Sequence, residues 1–132
     1  MVILGIDPGY AIIGWGVLEY RANKFKVINY GAVTTSAKTP FPLRLCDIYS
    51  GICEIIKKYE PQVLSMEKLF YNNNAKTVID VAQARGVITL AAQQNGIQIA
   101  EYTPLQVKQS VTGYGRAVKK QVQEMTRIIL NL

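Results

Sequence analysis

The stretch GIDPGY, residues 5–10, closes an apolar run that begins at Met1-Val2-Ile3-Leu4. Residues 2–7 read as a short buried strand that ends in Asp7 and turns at Pro8-Gly9. A carboxylate at the last position of a buried strand needs a reason, and the chain downstream supplies one.

Residues 12–20, IIGWGVLEY, and 25–34, FKVINYGAVT, are rich in β-branched and aromatic residues and read as strands. The polar RANK between them is a hairpin connection, so the first three strands form an antiparallel meander. The period then changes. After Pro40 and Pro42, apolar residues fall at Leu45, Ile48, Tyr49, Ile52, Ile56 and Tyr59, a helical stripe that Pro61 ends. QVLSME, 62–67, is a further strand, and KLFYNNN is a loop with Asn73 or Asn74 as N-cap of a long helix over 75–94. IQIAEY, 97–102, is a strand, and Thr103-Pro104 opens another helix as N-cap and N1. TGYG, 112–115, breaks it. The last helix carries Val118, Val122, Met125, Ile129 and Leu132 on one face. Strands alternating with helices require parallel pairing, which predicts an α/β fold: a mixed five-stranded sheet with helices on both faces, as one domain over 1–132.

Composition narrows the chemistry. The 132 residues are 49% hydrophobic, enough for one core. No apolar run spans a bilayer and no basic segment precedes the first one, so a cytoplasmic protein without membrane contact is expected. Cys46 and Cys53, seven apart on a helix, would lie ~10 Å apart, too far for a disulfide; they read as small buried hydrophobes in a reducing compartment. Histidine is absent, which removes His-based zinc sites and Ser-His or Cys-His catalysis. The net charge of +6 suits a polyanion, nucleic acid first. Part of the excess is concentrated: Lys108, Arg116, Lys119, Lys120 and Arg127 stand against Glu124 alone between 108 and 127.

Glu67 ends its strand as Asp7 ends the first. Alone, an Asp before Pro-Gly is an ordinary turn former and a strand-end Glu an ordinary solvated acid. Together at the carboxyl ends of neighbouring parallel strands, they would repel unless a cation lay between them. Oxygen donors without His or Cys select Mg²⁺ or Mn²⁺. Glu101 also follows an apolar strand, but its neighbours suggest a salt bridge or cap. Phe70 and Tyr71, just after Glu67, either plug into the core or stack on an unpaired base. Lys119 and Lys120 follow a Gly-rich turn at a helix start, where the dipole disfavours cations and a phosphate would favour them.

GIDPGY, MEKLFYNNNAKT (66–77), VAQARGV (81–87) and YTPLQVKQSVTGYGRAVKKQVQ (102–123), in order along the whole chain, resemble the RuvC-type Holliday junction resolvases. The resemblance implies a ribonuclease H-like fold and a homodimer that resolves four-way DNA junctions in recombination and repair by Mg²⁺-dependent phosphodiester hydrolysis, alongside branch-migration helicase machinery. It makes Asp7 and Glu67 metal-binding catalytic acids, Phe70 the aromatic that stacks at the crossover, Lys108 and Lys119 supports of DNA contact and cleavage, and the helix from about residue 75 the dimer-forming element. Family members continue into an Asp-rich segment whose helix supplies two further acids. The sequence ends at RIILNL, 127–132, so a truncated and catalytically impaired form is the expectation. Two readings stay beside it: a junction-binding module without catalysis, and a ribonuclease H-like nuclease acting on structured RNA.

Overall fold

The computed structural model describes residues 1–68 and 75–132. Five strands form one mixed sheet in the order β3-β2-β1-β4-β5. β1 (Val2–Asp7), β2 (Ile12–Arg21) and β3 (Lys24–Thr34) are the expected antiparallel meander. β4 (Val63–Glu67) pairs parallel with β1, and β5 (Gln98–Tyr102) parallel with β4. The connections that make this possible are helices: α1 (Phe41–Tyr59) between β3 and β4, and α2 (Ala75–Gln94) between β4 and β5.

The hairpin at RANK holds Ala22 and Asn23 at φ of 53° and 60°. Two successive left-handed residues make a tight turn whose twist matches that of the flanking strands. Asn23 tolerates this conformation better than Ala22 does. Further along the hairpin, Val17 faces Asn29 and Leu18 faces Val27, so Ile28 is an extra residue that bulges the edge strand.

Alternation along the strands decides which side is dry. Leu4, Ile6, Ile13, Val17, Leu64 and Met66 turn to one face and are buried. α1 covers them with Ile48, Ile52, Ile55 and Ile56, and α2 with Ala84, Ile88, Ala91 and Ala92. Each large aliphatic side chain buried here contributes about 1.5–3 kcal/mol. α1 ends at Tyr59, and Glu60 in the left-handed conformation closes it by donating its N–H to the Ile56 carbonyl; the stop therefore comes before Pro61.

One sequence expectation changes. Cys46 is exposed and Cys53 is half-buried, both as free thiols. Cys46 lies two residues from both Arg44 and Ile48, which face inward, so helical geometry turns it away from the core. The apolar stripe on α4 (Lys119–Ile129) is also largely uncovered: Val118, Ile129 and Leu132 are exposed, and no residue of α4 is buried. α4 packs mainly on α3 (Pro104–Thr112), and the pair stands over the second face of the sheet across an open cleft.

α3 begins as expected. The Thr103 hydroxyl accepts from the Gln106 N–H at 3.0 Å, the Gln106 side chain accepts from the Thr103 N–H at 2.9 Å, and Pro104 occupies N1. Gly113, at φ 76°, closes the helix. Among the described residues, no helix is long and apolar enough to cross a membrane.

Candidate active site

Asp7 and Glu67 are brought together by strand pairing. β1 and β4 run parallel in a register that sets Ile6 beside Met66, which leaves the next residues, Asp7 and Glu67, side by side at the strand ends. Adjacent strands lie about 4.8 Å apart. Ile6 and Met66 point into the core, so the pleat sends both carboxylates to the opposite face, where both are exposed. One position further along the sheet, Tyr102 pairs with Glu67 and continues the row.

These residues line one end of a cleft of about 1080 Å³ between the sheet and the α3–α4 pair. The sheet contributes small residues beneath it, Gly5, Gly14, Gly16 and Ser65. Gly14 lies opposite Asp7, and a Cβ there would stand 3.6 Å from the Asp7 Cβ, so its absence leaves room beside the carboxylate. Gln106 and Ser110 of α3 and Thr126 of α4 form the far wall.

The turn after Asp7 is fastened from α1. Arg44 is 8% exposed and is the one buried charged residue among those described. Its Nε donates to the Thr35 hydroxyl oxygen at 2.9 Å, and its guanidinium lies 5.0 Å from the centre of the Tyr10 ring. The Thr35 hydroxyl donates to the Tyr10 carbonyl, and the Thr35 N–H to the Ala11 carbonyl at 2.9 Å. Residues 10 and 11 are thus held at three points, which keeps the end of β1 in place.

The basic residues do not join this cleft. Arg116, Lys119 and Lys120 are exposed on the α3–α4 connection and the first turn of α4, whereas α4 meets the cleft at Thr126 and Leu130. Lys119 and Thr126 are seven residues apart, about 10 Å along the helix. Lys108 is half-buried on α3 and is not among the residues that line the cleft. Arg127 pairs with Glu124 one turn back, which raises its pKa and takes it out of the unpaired basic set. Phe70 and Tyr71 lie outside the described residues, as do Asn73 and Asn74. Glu101 forms a salt bridge, as its sequence neighbours suggested, and its partner is Arg85.

Sequence reasoning missed Arg44, Arg85 and Tyr102. Tyr102 was legible as the last residue of a strand, the same signal that singled out Asp7 and Glu67. The arginines gave no signal, because their partners are remote in sequence.

The family model for crossover junction endodeoxyribonuclease RuvC matches residues 3–132. The chain belongs to the RuvC crossover junction endodeoxyribonuclease family. The relative from Caldanaerobacter subterraneus subsp. tengcongensis is 54% identical over the whole chain, which spans 80% of that protein. The one from Clostridioides difficile is 57% identical, with 78% of its length spanned. RuvC of Thermus thermophilus in complex with a Holliday junction substrate superposes with a TM-score of 0.93 at 33% identity, over the whole chain and 81% of that structure. The fold is accordingly ribonuclease H-like.

Proposed function

We propose that this RuvC-family protein hydrolyses phosphodiester bonds in four-way DNA junctions, with Asp7 and Glu67 as its metal-binding catalytic carboxylates. The observation that carries this reading is the adjacency of those two acids at the ends of parallel strands, above a cleft floored by small residues. Two carboxylates on adjacent strand ends offer hard oxygen donors to a shared cation. The donors are hard oxygens, histidine is absent from the chain, and no third His, Cys, Asp or Glu joins the pair among the described residues. This donor set fits Mg²⁺, with Mn²⁺ as a substitute. A bound divalent ion would supply Lewis-acid polarisation of the phosphate and an activated water.

The chain's own residues have distinct tasks. Asp7 and Glu67 present oxygens from the ends of two interior strands of the sheet. Gly14 leaves space beside Asp7 for the substrate phosphate. The Arg44–Thr35–Tyr10 contacts keep the β1 exit from drifting. Lys119, Lys120 and Arg116 form an exposed basic surface outside the cleft, placed to hold junction arms by their phosphates. Phe70 and Tyr71 remain candidates for base stacking at the crossover, and Lys108 for DNA contact.

The outer face of α2 supports a homodimer. Ile79 and Leu90 are 65% and 51% exposed, and with Ala82 and Gly86 they form a helical stripe opposite the buried Ala84, Ile88 and Ala91. A Cβ on Gly86 would meet nothing within 4 Å, so the helix can be approached closely there. A two-fold dimer presents two sites to a pseudo-two-fold junction. A DNA substrate supports a cytoplasmic location, and family membership supports a branch-migration helicase as a working partner.

Incubation of a labelled four-way junction with Mg²⁺ tests the assignment in a protein spanning the full length of its RuvC relatives, of which this chain covers 80%. Asp7→Asn and Glu67→Gln should each lower cleavage by at least about 100-fold, the scale of losing one preorganised charge-stabilising group, while junction binding stays within a few-fold. Cleavage within tenfold of the unsubstituted protein would remove that acid from the catalytic set.

A further inference from the structure

Arg85 of α2 reaches from the helical side of the sheet to the end of β4. Its Nη2 donates to the backbone carbonyl of Glu67 at 3.2 Å and to the Glu101 carboxylate on β5. One nitrogen therefore bridges the two strand ends. The Arg85 side chain is 18% exposed, and its Nε is buried without a hydrogen-bond partner among the described residues. Next to this contact, the Lys68 N–H donates to the Tyr102 carbonyl at 2.7 Å, so backbone from both strands is fastened just where the row of Asp7, Glu67 and Tyr102 begins.

We infer that Arg85 is a positioning residue for Glu67, fixing its backbone so that the carboxylate stands at the metal site. The inference rests on the reading of Asp7 and Glu67 as metal ligands. The simpler account is an ion pair that steadies α2 against β5. A partly exposed ion pair contributes little to stability, and burying a guanidinium nitrogen with an unfilled donor is a cost that an apolar side chain would not incur. The second bond of the same nitrogen, to Glu67 itself, is what that simpler account leaves without a purpose. Glu67 has no side-chain hydrogen bond or ion pair among the described residues, so its orientation depends on how its backbone is held. Lysine replaces it poorly: an ammonium has enough donors for two acceptors, but on a flexible stem its position is not preset as that of the planar guanidinium is.

Mn²⁺ binding to the protein without DNA, followed by electron paramagnetic resonance, tests this without relying on turnover. Arg85→Lys and Arg85→Met should weaken Mn²⁺ about 10-fold, at the lower end of losses seen when a group orienting a metal ligand is removed. Metal-free junction binding should stay within about twofold and the melting temperature within a few degrees. In a Glu67→Gln background, Arg85→Lys should have no further effect, because the two changes act through one carboxylate. If Arg85→Met does not fold, Arg85→Lys, which keeps the charge, carries the test. Two results overturn the inference while leaving the metal reading intact: Mn²⁺ affinity within twofold of the unsubstituted protein in Arg85→Lys, or losses from Arg85→Lys and Glu67→Gln that multiply. If Glu67→Gln itself leaves Mn²⁺ affinity unchanged, the metal reading falls and this inference with it.

Discussion

Gly9 approaches Ile12 so closely that a Cβ at residue 9 would stand 2.4 Å from the Ile12 carbonyl oxygen. The obstacle is backbone that begins β2, so a side chain at residue 9 can enter only if the turn moves. Asp7 stands two residues before it. Gly9→Ala should cost about 1–3 kcal/mol, the usual range for overpacking a tight site, and should lower junction cleavage at least tenfold. Urea unfolding beside a cleavage assay checks both. Unchanged stability and activity would show that the turn adapts without disturbing Asp7.

The outer stripe of α2 makes a second prediction. Ile79→Glu and Leu90→Glu should halve the mass measured by light scattering in solution. Both residues are exposed within the chain, so monomer stability should change by no more than about 0.5 kcal/mol. A dimer that survives both substitutions would move the interface off α2.

Lys119 opens α4 at its N-terminus, exposed, where a cation is unfavourable for the helix itself. Lys119→Ala should weaken junction binding and flatten the dependence of log K on log salt by about one unit, the signature of one lost phosphate contact. Affinity measured at several salt concentrations gives both numbers. An unaltered slope would take Lys119 off the DNA surface.

Ala22 holds φ at 53° in the β2–β3 turn, a conformation that strains any residue with a Cβ. Ala22→Gly should stabilise the protein by about 0.5–1 kcal/mol, the relief of that strain less the extra chain entropy of glycine. The shift of the urea midpoint at constant slope measures it. A destabilised variant would show that the turn does not need the left-handed conformation at residue 22.

Much of the architecture was legible because it is local. The change from the apolar run VILGID and the β-branched and aromatic IIGWGVLEY to the helical spacing of Leu45, Ile48, Ile52 and Ile56 separates strands from a helix within short windows of sequence. Thr103-Pro104 marks a helix start through chemistry that lies within four residues. Local signals also explain the misses. The spacing of Val118, Val122, Met125 and Ile129 shows that α4 is amphipathic, but no local pattern tells what covers that face, and it is largely uncovered. Cys46 was read by its type rather than by its angle on α1.

The sequence by itself determined that two carboxylates close two buried strands, that histidine chemistry is absent, and that the motifs are those of the RuvC family. Only the tertiary structure decided that the strands are neighbours in register. Pairing joins residues 60 apart, and its free energy comes from the shared core of Leu4, Ile6, Leu64 and Met66, not from anything next to either acid. The same holds for the arginines. Arg44 finds Thr35 and Tyr10, and Arg85 finds Glu67 and Glu101, only after α1 and α2 have packed onto the sheet. A contact between remote residues is a product of chain folding, and single-sequence periodicity carries no record of it.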